Sequence, residues 1–516
     1  MKKFLLALLL LNLSSSAQTL FEKSWSSDLF VGVNDVAIDD SGNAYFACSG
    51  VSSTPDSSFS IIVKTDQDYN IVWSNVYRAY QADDVLSVEI LSDGNILVGG
   101  IMTQDTTELV GAGLMKLTTD GDIIWSKVIP EENLSQVVFT SEQVNGEIVA
   151  LIRRRNVISS VPSYIARLDS EGQILQHFQI NENEIGMEID YMISLGNGNF
   201  YAVGSSVDIL TPGIFIVSLS TSEIFWSRVY YFGEDGSIPQ FIDVNVNNEL
   251  ALAGYTIHGF ADENTDGIVS HINSDGELIS AKRVFREDSQ SYESLSGVHL
   301  GDDGSLLTNG SYVLDSEQKP LLVSFNSDAS TNWMSTYDTN GNMSSAPESL
   351  SLLSDGRILM SGGLVENQTI LSAHSSTGQA ACNDSIVAFE VENIEVTNLI
   401  KEFTLEPVSA ASLDIEIEII SFPIEQSLFC SEILTTNSAF ELSFAVYPNP
   451  FQDQVSLNIP AGMSQLEIFS IDGKKLKSAN VVEGHFRLDL SDFQSGIYVF
   501  QLTGKIGSSS QKIVKY

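Results

Sequence analysis

The chain has 516 residues, of which 43% are hydrophobic, and its formal net charge is −42. Such an acidic chain is repelled by nucleic-acid phosphates and by anionic membrane surfaces, which argues against both as partners. Calcium or a basic protein surface remains compatible with this charge. The length exceeds one ordinary core, so we expect several domains unless a repeat carries most of the chain.

The N-terminus reads "MKKFLLALLLLNLSSSAQT". Lys2 and Lys3 precede a short apolar run, and small residues at 15–17 offer a cleavage site, so residues 1–17 are predicted to be a signal peptide. The run is too short to span a bilayer, and we find no other uncharged stretch of about 18 residues. We therefore expect an exported protein without a transmembrane segment.

Seven times, the chain repeats an apolar run, a turn rich in Asp, Asn or Gly, and a second apolar run. Two of the copies are "SVEILSDGNILVGG" (87–100) and "SLSLLSDGRILMSG" (349–362). A fixed spacing of about 52 residues between copies is typical of a repeat fold. The turn residues are Gly42, Gly94, Gly146, Gly198, Asn248, Gly304 and Gly356.

A second phrase lies between these copies, as in "GLMKLTTDGDIIWS" (113–126). It again places two short strands around a polar turn, so one repeat is predicted to hold two hairpins, or four strands. The tryptophans of the chain fall in this phrase, and all but the last precede a serine. They are Trp25, Trp73, Trp125, Trp226 and Trp333.

A single four-stranded sheet cannot bury both of its faces, whereas seven such sheets arranged radially can. Residues 18–382 are therefore predicted to form a seven-bladed β-propeller, in which tryptophan packs between blades. The seventh repeat ends without a tryptophan, so we expect the strand around Trp25 to complete the seventh blade. Two alternatives stay open, a linear β-solenoid for the whole repeat and a stray edge strand for residues 20–30.

Residues 383–441 break the period and carry twelve acids and one base, Lys401. The segment "SLDIEIEIISF" (412–422) alternates between apolar and acidic residues, which predicts a half-buried strand. We expect a small acidic β appendage here. Cys382 and Cys430 flank it and are candidates for a disulfide, which export permits.

From Leu442 the charge balance changes, with seven basic and six acidic residues against 16 and 61 in residues 18–441. Such a switch indicates a separate module. About 75 residues of short strands fit a small immunoglobulin-like β-sandwich. Residues 442–516 are therefore expected to form a domain of their own.

The motifs "VYPNPFQDQVSLNI" (446–459), "LEIFSIDGKKL" (466–476), "LDLSDFQSGIYVFQL" (488–502) and a terminal "KIVKY" resemble the C-terminal sorting domain of type IX secretion substrates. The resemblance implies a bacterium of the Bacteroidota and export across the outer membrane by the type IX machinery. It also implies cleavage of the tail, with release or attachment to the cell surface. The matching positions are Tyr447, Pro448, Asn449, Pro450, Gly473, Lys474, Gly496, Tyr498 and Lys512.

One loop has the spacing of a calcium ligand set. In "DENTDG", Asp262, Asn264 and Asp266 alternate before a glycine, as at the start of a calcium loop. An EF-hand would need Glu at position 273, which is Asn. An acidic loop between strands is therefore the favoured interpretation, and calcium is the only cofactor considered.

Catalytic patterns are weak. There is no G-x-S-x-G motif, and the six histidines form no H-x-x-x-H pair. His271 and His374 are aligned with Lys64 of the first repeat, which predicts surface positions on strands rather than metal ligands. The basic run 153–155 is interpreted as a solvated strand end, with anion binding as the alternative. No catalytic residue is assigned.

Three functions remain. The favoured one is binding of a glycan, a peptide or a cell-surface partner by the propeller, without catalysis. The second is an extracellular hydrolase or lyase acting on polysaccharide, and the third is a purely structural surface protein. Acidic side chains and a basic residue that converge at one mouth of the propeller would favour catalysis. A flat rim with exposed aromatic side chains would favour binding.

Overall fold

The structure is a computed structural model in which all described residues lie in strands, turns and loops, with no helix. The all-β fold predicted from the sequence is thus confirmed. The structure describes residues 18–27, 30–51, 58–79, 83–104, 109–130, 134–155, 163–182, 187–206, 212–233, 236–257, 264–286, 292–314, 317–337, 349–353, 355–364, 368–380, 384–385, 387–434, 446–447, 451–452, 454–459, 463–470, 474–481, 484–494, 496–504 and 507–516.

Strand β1 (Gln18–Ser26) is followed by 27 strands that form antiparallel sheets in chain order, which we number sheets 1 to 7. Sheet 1 contains β2 (Phe30–Ile38), β3 (Ala44–Val51), β4 (Ser58–Thr65) and β5 (Ile71–Arg78). Sheet 2 contains β6 (Asp84–Ile90), β7 (Ile96–Gln104), β8 (Leu109–Leu117) and β9 (Ile123–Pro130). Sheet 3 contains β10 (Leu134–Glu142), β11 (Ile148–Arg155), β12 (Ser163–Leu168) and β13 (Ile174–Glu182). Sheet 4 contains β14 (Met187–Ser194), β15 (Asn199–Ser206), β16 (Ile214–Ser220) and β17 (Ile224–Phe232). Sheet 5 contains β18 (Gly236–Val244), β19 (Leu250–Ile257), β20 (Thr265–Ile272) and β21 (Leu278–Phe285). Sheet 6 contains β22 (Glu293–Leu300), β23 (Leu306–Leu314), β24 (Glu317–Phe325) and β25 (Thr331–Tyr337). Sheet 7 contains β26 (Ser349–Leu352), β27 (Ile358–Leu364) and β28 (Gln368–His374).

Most of the described turns between these strands share one backbone construction, in which the first N–H donates to the fifth carbonyl oxygen and the fourth N–H to the first, as in Asp169–Gln173 (2.9 and 3.0 Å). In several of them a side-chain oxygen at the first position also accepts hydrogen bonds from the backbone two and four residues later, as Asp169 does from Glu171 (3.0 Å) and Gln173 (2.8 Å). The residue in the fourth position has a positive φ, as in Gly172 (75°). Asx chemistry followed by glycine is the local signal that made the repeat visible in the sequence.

Strand β1 completes sheet 7 from the far end of the chain. It pairs antiparallel with β28, with Phe21 opposite Ala373 and Trp25 opposite Thr369. The first described strand thereby joins the last repeat, and the fourth position of sheet 7 is filled.

Each sheet shares an apolar cluster with the next. The cluster of sheets 2 and 3 contains Leu114 and Ile148, for example, and the cluster of sheets 6 and 7 contains Leu322 and Ile358. Side chains of sheet 7 also pack with sheet 1, where Phe21 joins the cluster of Phe46. Within the described residues, every sheet therefore has an apolar contact with a sheet on each side.

Residues 384–434 do not form an appendage of their own. They contribute one strand to the outer edge of each sheet, in the reverse of chain order, and we call this segment the belt. From sheet 6 back to sheet 1 and then to sheet 7, its strands are β29 (Asp384–Ser385), β30 (Glu390–Asn393), β31 (Val396–Ile400), β32 (Phe403–Pro407), β33 (Leu413–Asp414), β34 (Glu418–Ser421) and β35 (Glu425–Leu434).

The alternating pattern of the belt has a direct structural use. Its apolar residues pack into the clusters between sheets, as Phe403 does between sheets 3 and 4 and Ile415 between sheets 1 and 2. Backbone pairing meanwhile covers the hydrogen-bonding edge of each sheet, which otherwise is a site for aggregation.

The C-terminal strands form a second compact unit, distinct from that of Leu20–Glu432. A three-stranded and a four-stranded sheet share one core that includes Leu457, Leu466 and Phe500. The strands are β36 (Val446–Tyr447), β37 (Gln454–Ile459), β38 (Met463–Ser470), β39 (Lys475–Asn480), β40 (Gly484–Asp489), β41 (Gly496–Gly504) and β42 (Gly507–Lys515).

Candidate functional site

The tryptophans lie where neighbouring sheets meet. Three indole N–H groups donate to backbone carbonyl oxygens in a turn of the next sheet, which satisfies the one polar atom of a mostly buried ring. The bonds run from Trp73 to Thr119 (3.2 Å), from Trp125 to Ser170 (3.0 Å) and from Trp226 to Ser274 (2.9 Å).

The same rings pack on a glycine of that turn. A Cβ atom on Gly172 would lie 2.9 Å from the Trp125 ring, and one on Gly378 would lie 2.3 Å from the Trp333 ring. Glycine is needed at these positions for two reasons, since φ is positive and the indole occupies the space of a side chain.

A tyrosine four residues after the tryptophan completes this contact, and the sequence analysis missed it. The Tyr77 hydroxyl donates to the Gly121 carbonyl oxygen at 2.7 Å, and Tyr230 donates to Gly276 at 2.6 Å. Tyr337 makes the matching bond to Gly378. The recurrent W-x-x-x-Y spacing was the signal that could have identified it.

Trp25 packs between sheets 7 and 1 but not in the tryptophan position. Its register places Phe21 opposite Ala373, where Trp73 lies opposite Lys64 in sheet 1. The Phe21 ring packs on Tyr69 at 5.3 Å, while Trp25 lies four residues further along and packs edge-on to Phe46 at 5.0 Å. Because Tyr69 replaces the turn glycine here, the smaller Phe21 suits the place of an indole.

The serine after the tryptophan binds the belt. The hydroxyls of Ser74 and Ser227 donate to the carbonyl oxygens of Phe422 and Lys401, and Ser126 donates to Ile415 at 2.5 Å. The Trp-Ser pair thus makes two contacts in opposite directions. Tryptophan joins neighbouring sheets, and serine holds the belt strand.

The repeat pattern predicted surface positions for His271 and His374, and this prediction is wrong. The turn bond from Gly378 N to Ser375 O matches the bond from Tyr69 N to Asp66 O, so His374 corresponds to Thr65 rather than to Lys64. His374 is 3% exposed in the core, not at the surface. His271 does share the Lys64 position, but it too is buried, and it contacts Glu249 at 3.1 Å.

An open cleft lies between the turns of sheets 3 and 4. Its volume is about 480 Å³, within the size range of ligand sites. The polar lining comes from four segments of the two sheets. It comprises Gln143, Asn145, Glu147, Arg167, Asn197 and Thr221.

An ion pair is part of the lining of this cleft. Arg167 binds one carboxylate oxygen of Glu147 through Nε (3.1 Å) and Nη2 (2.6 Å). The hydrogen bond from Arg167 lowers the pKa of Glu147, so the carboxylate is ionised at neutral pH. The pair presents a fixed acceptor and a planar donor to the cleft.

Two asparagines flank the ion pair with their amide groups. The side-chain oxygen of Asn145 accepts from the backbone of Glu147, and that of Asn197 accepts from Asn199, both at 3.1 Å. These bonds orient the amides. The Asn145 side chain also hydrogen-bonds to the Glu147 carboxylate, whereas the Nδ2 group of Asn197 has no hydrogen-bond partner among the described residues. Exposed Val144 lies beside them. The cleft therefore offers oriented N–H donors next to an apolar patch.

The calcium candidate is only partly described. Asp262 lies outside the described residues, and Asp266 is buried and contacts Arg283 at 3.1 Å. Among the described residues, no three His, Cys, Asp or Glu side chains gather as a metal site. The favoured acidic loop, and calcium binding as its alternative, both stay predictions. In the basic run, Arg153 pairs with Asp190 at 3.1 Å.

Cys382 and the side chain of Cys430 lie outside the described residues, so the disulfide also stays a prediction. Cys48 is fully buried and free. Where the structure covers the chain, no helix has the length and hydropathy needed to cross a bilayer. The predicted signal peptide precedes the described residues.

The tail motif positions are largely strand positions. Tyr447 pairs with Ser456 in a short ladder, and buried Tyr498 donates through its hydroxyl to Gln494 at 2.5 Å. Lys474 is exposed, and its carbonyl oxygen accepts from Ser470 at 2.9 Å. Gly496 begins β41 and Lys512 is exposed on β42. The remaining positions, Pro448, Asn449, Pro450 and Gly473, lie outside the described residues.

Residues 445–516 match the family model of the secretion system C-terminal sorting domain. The tail is a sorting domain of the type IX secretion system. The protein is therefore exported, to the cell surface or beyond it, and interacts with the type IX machinery. No curated protein matches the chain.

Solved structures with similar folds share little sequence with the chain. The β-propeller domain of the Trilobed protease from Pyrococcus furiosus is 8% identical, with a TM-score of 0.37, and the alignment covers 70% of this chain and 97% of that one. The polysaccharide lyase Uly1 is 9% identical, with a TM-score of 0.40, and the alignment covers 67% of this chain and 90% of that one. PorZ of Porphyromonas gingivalis, a surface component of the type IX system, is 10% identical, with a TM-score of 0.20, and the alignment covers 95% of this chain and 100% of that one. Likenesses this distant carry no functional argument.

Proposed function

We propose that residues 20–432 form a closed seven-bladed β-propeller that binds a glycan outside the cell through the cleft between sheets 3 and 4. In this proposal, residues 1–17 are a signal peptide, the sorting domain is an immunoglobulin-like sandwich, and the source is a bacterium of the Bacteroidota. The cleft is the observation that carries the binding role.

Ring closure is supported by contacts at both ends of the repeat. Strand β1 fills the fourth position of sheet 7, and Phe21 and Trp25 of that sheet pack with Phe46 of sheet 1. The belt adds a strand to every sheet in turn. Wedge-shaped packing on both faces of each sheet is what a propeller requires.

The cleft has the chemistry of sugar recognition. Asn145 and Asn197 present amide donors, and Arg167 and Glu147 add a planar donor and an ionised acceptor. Sugar hydroxyls donate and accept at once, so such a mixture can pair with several of them. Peptides, the other ligand class considered, could accept hydrogen bonds from the same donors, but they carry fewer groups that both donate and accept.

Binding is favoured over glycoside hydrolysis because the described residues that line the cleft include no second acid. A glycosidase commonly needs two carboxyl groups, one of them protonated and acting as an acid. Glu147 is the one carboxylate among the lining residues, and Arg167 keeps it ionised. Without a proton to donate, it suits recognition better than general-acid catalysis.

A glycan and peptide array probed with the protein tests this proposal. We expect glycan binding that weakens about tenfold in N197A, which corresponds to about 1.4 kcal/mol for one hydrogen bond, and further in R167A. Asn247 occupies the matching turn position in sheet 5, so N247A is the control and should bind like wild type. Glycan binding that is equal in all variants would place the site elsewhere, and an empty array would argue against the binding role.

A further inference from the structure

The belt covers the outer edges of the sheets, and its own strands then become the outermost ones. An exposed strand edge can pair with another chain, and proteins commonly protect such edges with charged residues, proline or very short strands. Six of the described belt strands have this protection. Each of the six contains an acidic residue, two of them are only two residues long, and one ends at Pro407.

Strand β31 (Val396–Ile400) is the exception. Its sequence, VTNLI, contains neither a charged residue nor a proline, and among the described residues sheet 4 ends at this strand. Leu399 is 54% exposed and Ile400 is 78% exposed. Because successive side chains of a strand point to opposite faces, β31 presents an apolar residue to solvent on both of its faces.

The backbone of β31 turns every second residue toward this open edge. The Lys401 N–H group donates to the Ser227 carbonyl oxygen at 3.3 Å, and the Glu395 carbonyl oxygen accepts from the Gly233 N–H group at 2.8 Å. Antiparallel strands exchange such bonds at alternate residues, so the odd-numbered positions bond to β17. The N–H and C=O groups that face the open edge are those of Val396, Asn398 and Ile400.

The segment around β31 is complementary to itself in charge. It reads EVTNLIK (395–401), with an acid at one end and the only base of the belt at the other. When two copies of this segment pair antiparallel about Asn398, Glu395 lies opposite Lys401 of the second copy. The same pair recurs at the other end by two-fold symmetry. Opposite charges directly across an antiparallel pair stabilise it.

Apolar side chains and backbone groups match in the same register. Val396 lies opposite Ile400 of the second copy, and Asn398 lies opposite its own counterpart. These are the residues whose backbone groups face the open edge. Each such pair exchanges two backbone hydrogen bonds, so about six bonds join the two copies.

The local charges favour a second copy over a strongly basic partner. A basic strand in this register would place a like charge opposite Lys401. Each copy carries a net charge of −42, which causes repulsion at long range. Salt at physiological concentration screens charges more than about 8 Å apart, whereas cross-strand partners lie only about 5 Å apart.

We propose that the protein forms a two-fold symmetric dimer in which β31 pairs antiparallel, about Asn398, with β31 of a second copy. The two copies of sheet 4 then form one continuous sheet. A contact of one short strand from each copy belongs with the small interfaces that form transiently. It uses no residue of the glycan cleft.

Sedimentation equilibrium over a concentration series, in about 0.15 M salt, measures this association. We expect a monomer–dimer equilibrium for wild type and at least tenfold weaker association for I400P. Proline at this position removes an N–H group that faces the open edge and leaves the bonds to β17 in place.

Ile419 of β34 provides the matched control. It is an exposed isoleucine on another belt strand. The Phe422 N–H group donates to the Ser74 carbonyl oxygen at 2.9 Å, so the even-numbered positions of β34 bond to β5 and the N–H group of Ile419 faces outward. I419P should therefore associate like wild type.

Charge substitutions test the register. E395K and K401E each place like charges opposite one another at both ends of the contact, so each should weaken association several-fold. The double variant E395K/K401E restores opposite charges and should associate like wild type. Because E395K makes the protein less negative, a general effect of net charge would instead strengthen its association.

Three outcomes would overturn this dimer. Wild-type protein that stays monomeric up to about 100 µM would leave the edge of β31 to a strand of another protein. Equal association of wild type and folded I400P would place the contact elsewhere. A double charge variant that associates no better than the single variants would contradict the register. If I400P does not fold, the charge variants decide.

Discussion

The Ser126 hydroxyl donates a 2.5 Å hydrogen bond to the carbonyl oxygen of Ile415, a residue 289 positions later in the chain. Two further serines that follow a tryptophan bind the belt in the same way. A local dipeptide is thus half of a long-range contact. The belt depends on hydrogen bonds from each repeat as well as on its own apolar residues.

Replacing Ser126 by alanine should lower the free energy of unfolding by about 1 kcal/mol, because a buried carbonyl oxygen loses its side-chain donor. Thermal unfolding monitored by circular dichroism measures the change. Ser376 is exposed in a turn, so S376A is the control and should unfold like wild type. Equal midpoints for both variants would show that the belt bond adds no stability.

The contact between Trp125 and Gly172 can be separated from backbone strain. G172A and G94A both place a side chain at positive φ, 75° and 81°, but only the first meets a ring, at 2.9 Å. We expect G172A to be less stable than G94A by about 1–3 kcal/mol, the usual cost of overpacking. Denaturant unfolding of the two variants measures the difference. Equal losses would mean that the indole yields without cost.

Two half-buried carboxyl groups, Asp35 and Glu89, should make stability depend on pH. Burial raises the pKa of Asp35 to about 6 and that of Glu89 to about 7. A carboxyl whose pKa is raised in the folded state adds stability below its unfolded pKa, near 4, and that contribution is lost as the pH rises through the folded pKa. Between pH 4 and 7, both groups therefore disfavour the folded state increasingly.

The variant D35N isolates this effect. Its stability relative to wild type should improve as the pH rises from 4 to 6. It starts lower because the two carboxyl oxygens of Asp35 accept bonds from Val36 and Val88, both at 2.8 Å, and an amide offers one oxygen. Urea unfolding at several pH values provides the measurement. Asp40 is exposed, and D40N should keep a constant offset. A constant offset for D35N too would contradict the raised pKa.

The predicted disulfide would close the belt. The belt begins at sheet 6 and ends at sheet 7, and Cys382 and Cys430 fall at these two places in the sequence. A bond between them is expected to stabilise the fold by about 4 kcal/mol on the chain-entropy model. Alkylation of the unfolded, unreduced protein followed by mass spectrometry should modify one cysteine, Cys48. Three modified cysteines would rule the bond out.

Deleting residues 442–516 should keep the protein in the periplasm, because the sorting domain directs passage across the outer membrane. Immunoblots of periplasmic and extracellular fractions measure the distribution. A variant that alters the domain less, Y498F, removes only the bond to Gln494 and should be exported. Normal amounts of the deleted form outside the cell would contradict the role of the tail.

The sequence by itself determined the local parts of this protein. Each turn depends on residues within five positions of one another, such as Asp169 and Gly172, so hairpins, repeat length and the strand pattern were all readable. The sorting domain was recognised for the same reason, since its motifs are short and contiguous. That strand β1 would complete the last repeat also followed, because that repeat lacked a final strand.

Only the tertiary structure decided which distant strands pair, and in which register. A one-residue shift moved His374 from a surface position to the core, and a four-residue shift put Phe21 rather than Trp25 in the place of an indole. The path of the belt, and the polar groups brought together from sheets 3 and 4, were equally unpredictable. Such contacts join residues far apart in the chain, and their free energy comes from packing and edge pairing that no short stretch of sequence encodes.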